Sequence, residues 1–371
     1  MISYSLSIDK NSHYFHVSMD FAVSGSINVS MPVWTPGSYL IREFSKNVKS
    51  LRASEGGKAL VAQKISKNSW KIYDANKRVR VEYDVYAHEH TTNSSYIGSD
   101  HATINGASVF MFAEGMETEE ITVKINSPKV WKTISTWLPK RSGKLYAKNY
   151  DVLVDSPIEI GNHSVHKFIA RGKVHEVAIY SHGKFDEKRF VNDLKKIVNA
   201  SFTVFKEMPY ERYVFICHFG GDSEYGGLEH LNSTLCIAPV LSMKNDVDYK
   251  NTLGLFSHEF FHLWNVKRLR PRPLGPFDYS RENYTTSLWI SEGITSYYDN
   301  LILRRAGIIS AEEYLIELSE DIGRLLATPG RNAQSAEESS FDTWIKFYRP
   351  NEESINSAVS YYNKGAILGW L

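Results

Sequence analysis

The sequence predicts a multidomain α+β protein, an N-terminal all-β domain followed by a mainly helical one, and three observations predict it. The chain has 371 residues of 42% hydrophobic composition, more than one ordinary core accommodates. Up to about residue 180 it runs in short β-rich pieces separated by Gly, Asn and Ser turn signals. Beyond that point apolar residues recur at helical rather than alternating spacing. The expected division is a β-sandwich-like domain over 1–180 and a second domain over 181–371.

In the first part, "YFHVSMDFAV", "RVRVEYDVYA" and "EEITVKINS" read as strands. "MPVWTPGSYLIREF" sets two prolines and a glycine among aromatics, which suits an ordered loop at a domain face better than a strand interior. From Phe185 onward Phe190, Leu194, Ile197, Val198, Phe202 and Phe205 define a helix that Met208 and Pro209 stop. One strand, "RYVFICHF", follows, then the Gly-rich turn "GGDSEYGGLEHLNS", then a helix containing "SHEFFHLWN", then the Pro- and Arg-rich loop "VKRLRPRPLGPFDYSRENY". Further helices are expected at 288–306, closed by Gly307, and at 310–327, opened by a Ser310/Glu313 capping box. The final "YYNKGAILGWL" reads as a helix still in progress, so the chain is expected to stop before its domain does.

Lys and Arg total 43 against 42 Asp and Glu, a formal charge of +1, and no long run of one sign occurs. That offers no electrostatic footprint for nucleic acid or an anionic membrane. Cys217 and Cys236 do not form a CxxC pair and are expected to be buried thiols. No basic-then-apolar leader opens the sequence, and no window of 18 uninterrupted apolar residues occurs in it. These features lead to the expectation of a soluble, cytoplasmic protein without a membrane partner. Nothing in the composition bears on its oligomeric state.

The strongest chemical signal is "SHEFFHLWN". Positions i and i+4 lie on one face of a helix, so His258 and His262 can offer two ring nitrogens to a single ion, with Glu259 beside it. A catalytic zinc takes three protein ligands and keeps one position open. The extended HExxHxxGxxH form is excluded, because Asn265 and Arg268 stand where its glycine and third histidine would fall. Glu292 in "WISEGITSYYDNL" is the best remaining donor, on an aromatic, helix-like segment; Glu282 and Asp278, in loop-like sequence, are weaker ones. Asp299, two turns beyond Glu292, is placed to accept the second N–H of a ligand histidine. With two histidines and a glutamate as ligands, one Zn2+ would activate water while Glu259 moves the proton, which is peptide-bond hydrolysis.

HEFFHLWN followed by WISEGITSYY resembles the glycyl aminopeptidase family, zinc peptidases that usually carry a PDZ domain, and more distantly aminopeptidase N. "MPVWTPGSYLIREFSKNV" and "HLWNVKRLRP" are also similar to that family's signatures, so the resemblance covers most of the chain. It implies a thermolysin-like catalytic domain with His258, His262 and Glu292 as zinc ligands and Glu259 as general base. It also implies a peptide substrate with a free N-terminus, a preference for N-terminal glycine and alanine, and further helices and a PDZ domain that these residues do not include. "GGLEH" is similar to the Gly-x-Met-Glu-Asn motif of aminopeptidase N, which implies that Glu229 binds the substrate amine, with Gly226 and Gly227 letting backbone come close. "YYNKGA" is similar to a Tyr-x-Lys-Gly-Ala segment, which implies that Tyr362, in competition with Tyr361, stabilises the tetrahedral intermediate. Two other readings stay open: a zinc endopeptidase in which Glu229 is structural, and a non-catalytic peptide-binding protein with a vestigial zinc site.

Overall fold

The structure is a computed structural model that describes residues 1–221 and 224–371. The chain forms two compact units, one of Met1–His163 with Asp278–Arg281, the other of Ser164–Phe277 with Glu282–Leu371.

The first unit is built on an eight-stranded sheet and two four-stranded ones. Alternation drives the large sheet: Ile2, Tyr4 and Leu6 of the strand Ile2–Asp9 are buried, as are Phe15, Val17, Met19 and Phe21 of Tyr14–Ala22. The loop expected at a domain face is ordered and its aromatics are interior, with Trp34 0% and Tyr39 2% exposed. Trp34 Nε1 donates to the carbonyl of Asp278 at 2.8 Å and the Val33 amide to the carbonyl of Tyr279 at 2.9 Å. Those bonds draw a short piece of the Pro- and Arg-rich loop into the first unit, a pairing no local pattern announces.

Strands and helices are numbered within the second unit. Its sheet holds β1 (Ser164–Ala170), β2 (Lys173–Ser181), β3 (Arg212–Gly220), β4 (Gly226–Glu229) and β5 (Ser233–Pro239), in the order β1-β2-β3-β5-β4. The helices are α1 (Glu187–Phe205), α2 (Asp246–Phe261), α3 (Ile294–Arg305), α4 (Ala311–Ala327), α5 (Ala336–Phe341), the single turn α6 (Ser354–Ser357) and α7 (Tyr361–Trp370). Phe190, Leu194, Ile197 and Val198 of α1, Phe215 and Phe219 of β3, and Leu253, Phe256 and Phe260 of α2 share one core. The Ser310/Glu313 capping box is present at the start of α4. Among the described residues no helix is long and apolar enough to cross a membrane.

Three differences from the sequence expectation concern strands. Ser164–Ser181 belongs to the second unit, where β2 pairs with β3; it is as β-rich as the preceding strands, so composition does not reveal which core it joins. β5 is buried along almost its whole length between β3 and β4, and a strand covered on both faces loses the alternation by which strands are read. "GGLE", expected as a turn, is an edge strand antiparallel to β5.

Candidate active site

The helix α2 starts at Asn245, whose side chain accepts from the Asp248 amide, and carries Asp246 and Asp248 in its first turn, where carboxylates favour the helix dipole. Its Tyr249, Leu253, Phe256 and Phe260 are spaced for one face and buried. The adjacent stripe, His258, Glu259 and His262, is thereby turned to the site. The helix ends with His262 as its C-cap, still in helical conformation, so the two imidazoles stay one turn apart with ring centroids 4.7 Å apart.

The segment expected as a helix from 288 to 306 opens with a π-helical turn, Trp289–Gly293, before α3. Such widened turns are rare and concentrate at functional sites. This one points Glu292, 2% exposed, at both rings: its Oε2 is 3.2 Å from His262 Nε2 and 3.4 Å from His258 Nε2. Four ligands at about 2.0–2.1 Å around a tetrahedral ion stand about 3.3–3.4 Å from one another. The donor set therefore fits a zinc ion in type and in spacing, and the three ligand atoms lie within 4.8 Å of one another. Of the weaker candidates, Asp278 has its carboxylate taken up by Ser280 and Arg281, and Glu282 joins none of the metal-competent clusters found among the described residues.

The second nitrogen of each ring is engaged. His258 Nδ1 donates to Asp299 Oδ2 at 3.2 Å, and His262 Nδ1 donates to the carbonyl of Asn265 at 2.8 Å. Both bonds place a proton on Nδ1, so Nε2, the atom of each ring that faces Glu292, is the one that would bind a metal.

Glu259 is 5% exposed, and its Oε2 has no hydrogen-bond partner among the described residues. Burial, reinforced by the charges of Glu229 and Glu292 and opposed by the two histidines, pushes its carboxyl up to about 7. Glu292 goes the other way: burial is outweighed by the charge of His262 and by hydrogen bonds from both rings, which hold it down to about 2. Burial works against the charged form of His258, but hydrogen bonds to Asp299 and Glu292 raise it well above the usual imidazole range. His262 is likewise raised against burial, first by the charge of Glu292. In Asp299 burial prevails over the His258 bond and raises the carboxyl.

Glu229, 4% exposed, ends β4 and has an oxygen within 4.8 Å of donor atoms of Glu259 and His262. Gly226 opens β4 opposite Ile237. Gly227 has a more immediate duty than approach to a ligand, because a Cβ there would fall inside the carboxyl group of Glu259. Tyr362 lies in the first turn of α7, its ring stacked over His258 at 6.2 Å. Tyr361 is 0% exposed and accepts from Thr343 Oγ1 at 3.1 Å, a packing position. Burial, then the charge of Glu292, raise Tyr362 well above the ordinary phenol value, and burial pushes the neighbouring Tyr348 up to about 12. The rest of the "YYNKGA" motif explains itself by packing. A Cβ on Gly365 would strike the Trp289 carbonyl and Gly293, and one on Gly293 would strike Gly365. Only glycines let α7 lie on the π-turn, which brings Tyr362, one turn earlier on the same face, over His258. Lys364 donates to the carbonyls of Arg331 and Gln334, a structural duty.

Sequence reasoning passed over Asn265, Thr295, Tyr348 and the second function of Gly227. The signal for Asn265 was its place three residues after the second histidine; the others had none.

The model of the M61 peptidase N-terminal domain matches residues 3–162, and that of the M61 glycyl aminopeptidase matches residues 251–368. The chain belongs to the M61 glycyl aminopeptidase family. The match over 251–368 takes in α2 from Asn251 onward, the π-turn and α7 as far as Leu368, whereas Glu229 falls outside both models. An aminopeptidase N family protein from Idiomarina loihiensis, known from a crystal structure, is 36% identical with a TM-score of 0.96 over 99% of this chain. The M61 chain described here spans 65% of that protein's length. Yeast LTA4 hydrolase, solved in complex with bestatin, shares the fold at 13% identity and a TM-score of 0.57, over 100% of this chain and 57% of its own. No curated protein matches the chain.

Proposed function

We propose that this M61 chain is a zinc-dependent aminopeptidase that removes N-terminal residues, small ones such as glycine and alanine, from peptides. One observation carries the reading: two imidazole nitrogens and one carboxylate oxygen meet at tetrahedral spacing beside a buried carboxylate oxygen that has no partner among the described residues. His258, His262 and Glu292 would hold one zinc ion, which when bound supplies a Lewis acid and brings the pKa of water to about 7.

The remaining steps belong to side chains. Glu259 takes a proton from the attacking water at Oε2 and passes it to the leaving amine. Glu229 pairs with the substrate's ammonium through charge-assisted hydrogen bonds, each of about 1.5–3 kcal/mol, and so selects a free N-terminus over an internal segment. The edge strand β4 that carries it offers backbone groups to an extended peptide. Tyr362, kept protonated, donates to the developing oxyanion. The preference for small residues rests on family membership. The two buried, unpaired cysteines fit a reducing compartment such as the cytoplasm.

The test compares glycyl and alanyl reporter peptides with their N-acetylated forms, alongside a zinc count. The expected result is about one zinc per chain and hydrolysis of the free peptides alone. Equal hydrolysis of the blocked peptides would make the protein an endopeptidase and return Glu229 to a structural role. A zinc-loaded chain that binds peptides and cleaves none would make it a binding protein.

A further inference from the structure

We propose that Asn265 is a positioning residue that ties the two ligand-bearing elements together, so that one side chain and its own carbonyl set the aim of both His262 and Glu292. The inference rests on the zinc reading above and concerns a residue to which that reading gives no part.

Asn265 is 6% exposed and makes its contacts in two directions. Toward α2, its backbone carbonyl receives the Nδ1 proton of His262 at 2.8 Å. Toward the π-turn, its side-chain amide donates to the carbonyl of Ile290 at 2.8 Å, to the carbonyl of Ser291 at 3.0 Å and to Thr295 Oγ1 at 3.1 Å. Ile290 and Ser291 are the two residues immediately before Glu292. Thr295 completes the link by donating to the Ser291 carbonyl at 2.6 Å. A π turn departs from the α spacing on either side of it, and outside donors on two successive carbonyls hold its width and register. The carboxylate that follows is then fixed relative to the ring whose proton the same residue accepts.

The adjoining backbone supports this. Val266 has φ of 120°, a left-handed value that a β-branched side chain adopts only where its surroundings impose it. The residue after Asn265 is thus held in an unfavourable conformation while the Asn265 carbonyl faces His262. The Lys267 amide, bonded to the His262 carbonyl at 3.1 Å, closes the same turn. An asparagine that only filled the core would not need to span both elements. Partners in this outer position typically set metal affinity by 10- to 100-fold, because they orient ligands that touch the ion.

The experiment uses the full chain and reads metal binding apart from turnover. Asn265→Asp keeps the shape but turns an acceptor toward two carbonyls. Its zinc dissociation constant, measured by competition with a chromophoric chelator, should weaken by about 10- to 100-fold. The metal-free chain should still unfold cooperatively, at a lower melting temperature because of the buried mispairing, and the visible bands of the cobalt-substituted protein should shift. Saturating zinc should restore most of kcat with KM unchanged. Thr295→Val, a milder change, should weaken zinc binding in the same direction by a smaller factor. If Asn265→Asp does not fold, Thr295→Val decides. Folded variants that bind zinc as tightly as the parent and give the parent's cobalt spectrum would overturn the coupling while leaving the zinc reading intact. A parent chain that binds no zinc would overturn both.

Discussion

Each unit buries a histidine beside a glutamate, and the two pairs are built differently. In the first unit His101 Nδ1 meets Glu159 Oε1 at 2.9 Å across neighbouring strands, and Thr103 Oγ1 donates to Glu159 Oε2 at 2.6 Å. Both carboxylate oxygens are engaged by protein groups from one sheet. In the second unit two imidazoles converge on one oxygen of Glu292, while Glu259 beside them keeps a buried oxygen without a partner among the described residues. Both oxygens of Glu159 already have protein partners, whereas two imidazoles crowded on one oxygen of Glu292 next to the unsatisfied oxygen of Glu259 describe a place for a cation and a proton acceptor.

The sharpest way to break this contrast is to remove each glutamate. Glu292→Ala should abolish stoichiometric zinc and with it all turnover. Glu159→Gln should leave zinc binding in place and lower stability by about 1–3 kcal/mol, the cost of mispairing a buried donor. Retained zinc in Glu292→Ala would mean that another oxygen serves and that the comparison has the wrong carboxylate.

Next in size is Glu259→Gln, which keeps a similar shape and gives up the proton acceptor. Zinc content should hold at the parental level while kcat falls by about 100- to 10,000-fold; a normal rate would remove Glu259 as base. Tyr362→Phe should lower kcat by about 100- to 1000-fold with little change in KM, the pattern for a group that acts in the transition state. Tyr361→Phe, at a buried packing position, should change stability more than rate, and the reverse result would exchange the two roles.

The smallest effect is a dependence on pH. His258 and His262 are raised above the ordinary imidazole value and Glu259 is raised to about 7 in the metal-free chain. Groups raised on folding stabilise the metal-free protein below their unfolded values, about 6.5 for histidine and 4.3 for glutamate, and that stability is lost as pH climbs through the folded values. Protons thus compete with zinc for the same nitrogens. The rise in melting temperature on adding zinc should grow between about pH 6 and pH 8, with protons released on binding. An increment that is flat over that range, measured by differential scanning calorimetry, would show that the imidazoles are not the ligands.

How much of this was legible in the sequence follows the distance over which each feature is encoded. The helix bearing His258, Glu259 and His262 could be read from its own residues, because the i, i+4 relation is a property of one helical turn. The cap at Ser310 was visible for the same reason. Glu292 could be nominated by its chemistry and aromatic neighbours, but its arrival at the histidines depends on a π-turn and on α7 lying against that turn at Gly293 and Gly365. The strands β1, β2 and β5 were harder, since β-rich composition does not show which sheet receives β1 and β2, and β5, buried on both faces, carries no alternation to read.

By itself, then, the sequence determined the periodic elements, the chemical types at the site and the spacing within each helix, all of which are set by near neighbours in the chain. Only the tertiary structure decided which segments meet: that Asn265 bridges two elements, that Gly227 makes room for Glu259, and that Tyr362 rather than Tyr361 faces the rings. These are contacts between residues far apart in sequence, governed by how closely backbones approach and which polar groups are left to satisfy, and no local pattern carries that information.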